Sequence, residues 1–137
     1  MIHAVLLFWV ALQGGPADAT QHFRQGLDAR KEGRLDAAIV EFRKASELDP
    51  NLSEAFLNLG ETYMEKHDYA AAIAPLKRAL ELKPDLAPAH RDLGLCLIAT
   101  GRIAPGWREI ETGLRLSFAG EKPRQVLAQM PRETKPR

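Results

Sequence analysis

Glycine returns at a fixed distance in this chain: Gly26, Gly60 and Gly94 stand 34 residues apart. The same step links Gly33, His67 and Gly101; Ala45, Ala79 and Gly113; Leu48, Leu82 and Leu116; and Ile39, Ile73 and Trp107. A period of this size means that one supersecondary unit is written three times. Such a unit is too small to bury its own apolar face and must stack on copies of itself. Each period holds two stretches of helical periodicity separated by a short turn, with a proline near its end. In the second period Phe56, Leu59, Gly60 and Tyr63 fall at i, i+3, i+4 and i+7, one face of a helix. Ala72, Ile73, Leu76, Ala79 and Leu80 form the stripe of the second helix, expected from about Asp68 to Leu82. Gly60 lacks a side chain where the two helices must approach. Asn51 and Asp85 are the expected N-caps of the first helices of the second and third units, because their side chains accept from free first-turn N–H groups.

The prolines test this reading. Pro84 ends a helix, and Pro88 and Pro105 fall in first turns, where the missing N–H costs nothing. Pro75 lies inside a helix, where proline costs about 3 kcal/mol, and a local bend is expected there.

These residues resemble the tetratricopeptide repeat, a helix-turn-helix motif. Residues 19–52 carry Gly26, Ala38, Phe42, Ala45 and Pro50 of its pattern. Residues 53–86 carry Leu59, Gly60, Tyr63, Ala72, Leu76, Ala79 and Pro84. Residues 87–120 are more degenerate: Leu93 and Gly94 persist, Gly106 and Gly113 stand in place of alanines, and Phe118 replaces the terminating proline. The resemblance implies an all-α fold, a right-handed α-solenoid of three such hairpins. Beyond residue 120, Val126, Leu127 and Met130 follow Pro123 as a short apolar stripe. It is expected to form a C-terminal capping helix, since the last unit of an array needs a cover with a polar outer side. Residues 121–137 also hold five basic side chains against two acidic ones, a basic tail expected to be solvated.

The first 19 residues read differently. "MIHAVLLFWVALQGGPADAT" is apolar from Ala4 to Leu12, breaks at Gly14, Gly15 and Pro16, and then offers Ala17-Asp18-Ala19. An apolar run, a breaker and an A-x-A site are the parts of a signal peptide, although its start carries only His3 and the α-amino group as cations. The run is shorter than the roughly 20 apolar residues of a spanning helix. The alternatives are an N-terminal membrane segment left uncleaved, or a first helix that caps a cytoplasmic domain. The expected location is therefore periplasmic or secreted. Cys96, the only cysteine, sits in an apolar helical stretch and is expected to be a packed small hydrophobe.

Composition narrows the function. Nineteen basic residues oppose 18 acidic ones, a net charge of +1, so no basic footprint for nucleic acid exists. His3, His22, His67 and His90 make no paired metal-ligand spacing, and no phosphate-cradling glycine loop or nucleophile elbow occurs. Neither catalysis, a cofactor nor a metal is expected.

A curved stack offers a groove lined by the first helices. The helical geometry and the family's register place Phe23, Leu27, Arg30 and Lys31 there from the first unit. Leu57, Glu61 and Met64 come from the second, and Arg91, Leu95 and Ile98 from the third. Apolar residues with charges at their margins suit an amphipathic helix or extended apolar peptide of another protein, the chain's own tail and a second copy being the other occupants. Cochaperone members of the family clamp a C-terminal carboxylate with two Lys, two Asn and an Arg. The matching positions here are Phe23, Leu27, Asn58, Pro88 and Asp92, so only Asn58 fits and this activity is not expected. The sequence thus implies a protein-binding adaptor. The alternative is a structural subunit that self-associates or assembles into an envelope complex through exposed repeat ends.

Export predicts that residues 1–19 are removed or inserted into a membrane in the cell. Mass spectrometry of the natural protein should find no intact Met1 on soluble cytoplasmic material, and finding it would overturn the assignment.

Overall fold

The repeat becomes three helical hairpins. The structure, a computed structural model, describes residues 15–119. Helix α1 spans Pro16–Lys31, α2 Leu35–Leu48, α3 Ser53–Glu65, α4 Tyr69–Leu82, α5 Ala87–Ala99 and α6 Ile103–Ser117, with no strand among the described residues. Helix α1 packs on α2, α3 on α4 and α5 on α6; α2 against α3 and α4 against α5 join one hairpin to the next. The expected α-solenoid is present. Helix α3 also touches α5, whereas α2 and α4, or α4 and α6, make no comparable contact. The first helices of the second and third hairpins therefore approach each other more closely than α1 and α3 do. The capping helix and basic tail expected at 121–137 lie outside the described residues, as does the apolar run at 4–12. The expected cut after Ala19 falls within α1, where Pro16 occupies the first turn and Ala19 is fully buried.

Within each hairpin a glycine faces a large side chain. A Cβ on Gly26 would lie 2.6 Å from the Phe42 ring, and one on Gly60 2.6 Å from Leu76 Cγ. Phe42 and Leu76 fill the space so released and are fully buried. The third hairpin is tighter still. A Cβ on Gly94 would stand 2.6 Å from both the Gly106 carbonyl oxygen and Ile110 Cγ1, and one on Gly113 2.9 Å from the Ala87 carbonyl oxygen. Here backbone meets backbone. The glycines that replace alanines in the degenerate unit thus preserve the packing, as close approach requires.

Two core clusters follow. Ala29, Ala38, Ile39, Phe42 and Leu59 join the first hairpin to the second. Ala72, Leu76, Leu93, Cys96 and Leu97 join the second to the third. The predicted face of α3 is rotated slightly: Ala55 and Thr62 are fully buried beside Leu59 and Gly60, while Phe56 and Tyr63 are half-buried. Thr62 fits because its hydroxyl donates to the Asn58 carbonyl at 2.6 Å.

The helix starts correct two expectations. Asn51 and Asp85 are not caps. Leu52 and Leu86 occupy those positions and give no side-chain bond, and Asp49 instead accepts from the Asn51 N–H at 3.0 Å. Asp68 is the side chain that caps, accepting from the Ala71 N–H at 3.1 Å. Helix α4 runs unbroken through Pro75. Pro75 is the repeat equivalent of Glu41 and Glu109, and Phe56 that of His22 and His90. In the outer hairpins these positions form a bond between first and second helix: His22 Nδ1 lies 2.6 Å from Glu41 Oε2, and His90 Nδ1 2.7 Å from Glu109 Oε2. The middle hairpin substitutes both members and has no such bond.

The turns share one backbone state. Gly33 (φ +74°), His67 (φ 61°) and Gly101 (φ +87°) all lie in the left-handed region, which costs a residue with a Cβ about 1–2 kcal/mol. Glycine loses more chain entropy on folding, about 0.5–1 kcal/mol. The difference predicts that His67→Gly stabilises the protein by about 0.5–1 kcal/mol in urea denaturation; a loss of stability would contradict it. Gly94→Ala should cost about 2–3 kcal/mol and Gly60→Ala about 1 kcal/mol by the same measurement. The ordering follows because the neighbour of Gly94 is backbone and that of Gly60 a side chain that can shift. A reversed order would overturn this account of the third hairpin.

Candidate functional site

The ten expected groove residues stand at four repeat-equivalent places on α1, α3 and α5, and residues at one place do not share one fate. Phe23 and Leu27 are half-buried against the first core cluster, with the Phe23 ring centroid 5.7 Å from that of Phe42. Leu57 and Met64 are half-buried against the second cluster. Lys31 is exposed, and Arg91, also exposed, donates from Nε to the buried Asp92 carboxylate at 2.9 Å. Ile98 is half-buried, while Leu95 is 44% exposed.

Arg30 and Glu61 are tied to each other. Arg30 Nη1 donates to Glu61 Oε2 at 2.6 Å and to Asn58 Oδ1 at 3.0 Å, and Nε donates to Glu65 Oε1 at 2.6 Å. Burial works against the guanidinium charge, but the bonds to Glu65 and Glu61 outweigh it and hold the Arg30 pKa above its ordinary value. This cluster crosses from α1 to α3 and consumes two of the four charged side chains expected at the groove, Arg30 and Glu61.

Three of the ten residues come together around one opening. Met64, Leu95 and Ile98, with Tyr69 and Ala99, line an open apolar depression of about 490 Å³ that Glu65 and His67 border. It lies where the end of α3, the start of α4 and the end of α5 meet. Leu95 also lines a second apolar depression of about 370 Å³ between α5 and α6, together with Arg91, Leu114 and Phe118. Leu95 therefore stands between two hollows, an exposed leucine with room on both sides. Phe23 and Leu27 take part in neither. Tyr69, Leu114 and Phe118 were absent from the expected groove because it was confined to first helices; the i, i+4 spacing of Leu114 and Phe118 is the signal that could have found the latter two.

Burial, aided by the Asp92 charge, pushes the Cys96 thiol up to about 11, so its nucleophilic thiolate is scarce at neutral pH. Among the described residues no three His, Cys, Asp or Glu side chains are grouped to hold a metal ion. No helix among them is long and apolar enough to cross a membrane. Asn58, the one residue matching a carboxylate clamp, is already engaged: its Oδ1 accepts from Arg30 and its Nδ2 donates to the Glu54 carbonyl at 2.8 Å.

Comparison with known proteins agrees with the repeat. A TPR repeat model matches residues 26–67, and a tetratricopeptide repeat model matches residues 53–86. No curated protein sequence matches the chain. Among solved structures, a crystal structure of MamA superposes with a TM-score of 0.71 at 19% identity, covering 76% of this chain and 61% of that one. The first TPR of Spaghetti (RPAP3), bound to the HSP90 peptide SRMEEVD, gives 0.70 at 22% identity over 82% of this chain and 95% of that one. The second TPR of the same protein, bound to the same peptide, gives 0.73 at 21% identity over 77% and 98%. The chain spans about three-fifths of the length of the MamA structures it matches. These likenesses speak for the fold. With the repeat matched in sequence from residue 26 to 86 and its hairpins stacked from Pro16 to Ser117, the chain belongs to the tetratricopeptide-repeat proteins.

Proposed function

We propose that this protein is a non-catalytic adaptor that grips an apolar segment of a partner protein along the inner side of its third hairpin. The observation that carries this is Leu95, 44% exposed between two apolar hollows, where one side chain from each turn of an amphipathic helix finds a seat. The TPRs of Spaghetti (RPAP3) bind the HSP90 peptide SRMEEVD, which supports peptide binding as a use of this scaffold. The chemistry here differs. Phe23, Leu27, Pro88 and Asp92 occupy four of the five clamp positions, so the ligand is held by apolar contact and not by its terminal carboxylate. The apolar run from Ala4 to Leu12 and the Ala17-Asp18-Ala19 site support export as the setting.

Self-association through a repeat end is the second reading. It is favoured by Ile103, Trp107, Leu114 and Phe118, which are 46–60% exposed on α6.

A peptide library panned against the purified chain tests the adaptor. The enriched peptides should carry apolar residues three or four apart, and amidating their C-termini should not weaken them. Leu95→Glu should weaken their binding at least tenfold, about 1.4 kcal/mol, while Lys31→Ala changes it less than twofold. Sedimentation of Leu95→Glu should show the oligomeric state of the parent. Equal peptide binding by Leu95→Glu would remove the hollows from the site.

A further inference from the structure

Residue 91 departs from the repeat. Its equivalents Phe23 and Leu57 are half-buried against the two core clusters. Arg91 instead has a side chain 60% exposed and lines the hollow of about 370 Å³ between α5 and α6. Its neighbour departs as well. Asp92 stands where the first hairpin has an exposed Arg24 and the second a half-buried Asn58, yet its own side chain is only 6% exposed. A buried carboxylate is costly unless it is paired. The hairpin has no need of an acid there, since a cation and a neutral amide serve in the other two units.

What Asp92 does is hold the guanidinium of its neighbour. Arg91 Nε donates to Asp92 Oδ1 at 2.9 Å, and its bonding among the described residues uses Nε alone. Arg30 shows such a group with both edges occupied: Nε donates to Glu65 and Nη1 to Glu61. Arg91 has one carboxylate at Nε and the Nη1 and Nη2 edge open. Resting on the adaptor reading, we infer that Arg91 selects the partner. The apolar segment that seats beside Leu95 carries an Asp or Glu side chain about one helical turn from its anchor, and that carboxylate accepts from Nη1 and Nη2. Two parallel bonds from the planar fork suit a carboxylate, and bonds to a charged acceptor are about twice as strong as those to a neutral carbonyl. The spacing follows from the wall, because Arg91 and Leu95 are four residues apart on α5, about 6 Å along its axis. An exposed ion pair would contribute little, but two features raise its worth here. Asp92 orients the fork before the segment arrives, which reduces the freedom lost on binding. Leu95, Leu114 and Phe118 form apolar walls, so the seated segment keeps water from the pair. Asp92 also cancels the Arg91 charge, so the gain is made at contact and lengthens residence without speeding the encounter.

Peptides panned on the full chain, all with amidated C-termini, test this. The enriched sequences should carry Asp or Glu three or four residues from an apolar residue. Replacing that acid by its amide in the peptide should shorten residence about tenfold and leave the association rate within twofold. The chain with Arg91→Gln and Asp92→Asn keeps the shape of the pair without a buried unpaired charge. On it the same peptide exchange should change residence less than twofold. Enriched peptides without an acid, or residence on the unaltered chain indifferent to the exchange, would overturn this inference and leave the adaptor standing. A tenfold effect that persists in the altered chain would assign the acid to another cation and overturn it too. Enrichment of no peptide at all would remove the adaptor reading, and this inference with it.

Discussion

The fold rests on one contact made three times: a residue without a side chain on each first helix receiving a large apolar side chain of the second. Gly26 receives Phe42, Gly60 receives Leu76, and Gly94 receives Ile110 together with the backbone at Gly106. Two helices brought this close bury small residues along their whole length, which is why Ala38, Ala45, Ala72 and Ala79 are fully enclosed. Larger apolar residues are thereby freed to face the neighbouring hairpin. Ile39 and Leu59 use that freedom at one junction, Leu93 and Leu97 at the other.

Polar ties follow the same division. Bonds such as His22 to Glu41, His90 to Glu109 and Lys83 to Glu54 join the two helices of one hairpin, whereas Arg30 to Glu61 and Glu65 and Lys66 to Asp36 join different hairpins. The Lys83 bond holds the Glu54 carboxyl below its usual range, although both groups are about half exposed. Exposed pairs of this kind contribute little each. The stack is held chiefly by its two apolar clusters, and the ion pairs fix how the hairpins are turned on one another.

The hairpins, their turns and the glycine seats were legible in the sequence because they depend on residues close together in the chain and recur at a constant step. Asn51 and Asp85 misled because a good capping residue was available one place before the true boundary; Leu52 and Leu86 start the helices without side-chain help. The surface was legible only in part. Periodicity puts Leu57 and Met64 on a face away from the core of their own hairpin, yet both are half-buried against the cluster that α4 and α5 share. Arg30 reads as a free flanking charge until α3 is placed beside α1. Tyr69, Leu114 and Phe118 reach the hollows from second helices, a juxtaposition set by stacking between elements and invisible in any single helical wheel.

The Arg30 cluster has a consequence for how quickly a partner is met. An arginine set between Glu61 and Glu65 offers no free positive charge to solvent, and a chain with a net charge of +1 adds little more. On the adaptor reading, association with the inner surface would proceed without long-range attraction, on the order of 10⁵–10⁶ M⁻¹s⁻¹, as for uncharged encounters. Such a surface has little to lose when ions screen it. An adaptor of this kind would discriminate among partners by how long they stay, in dilute and concentrated salt alike.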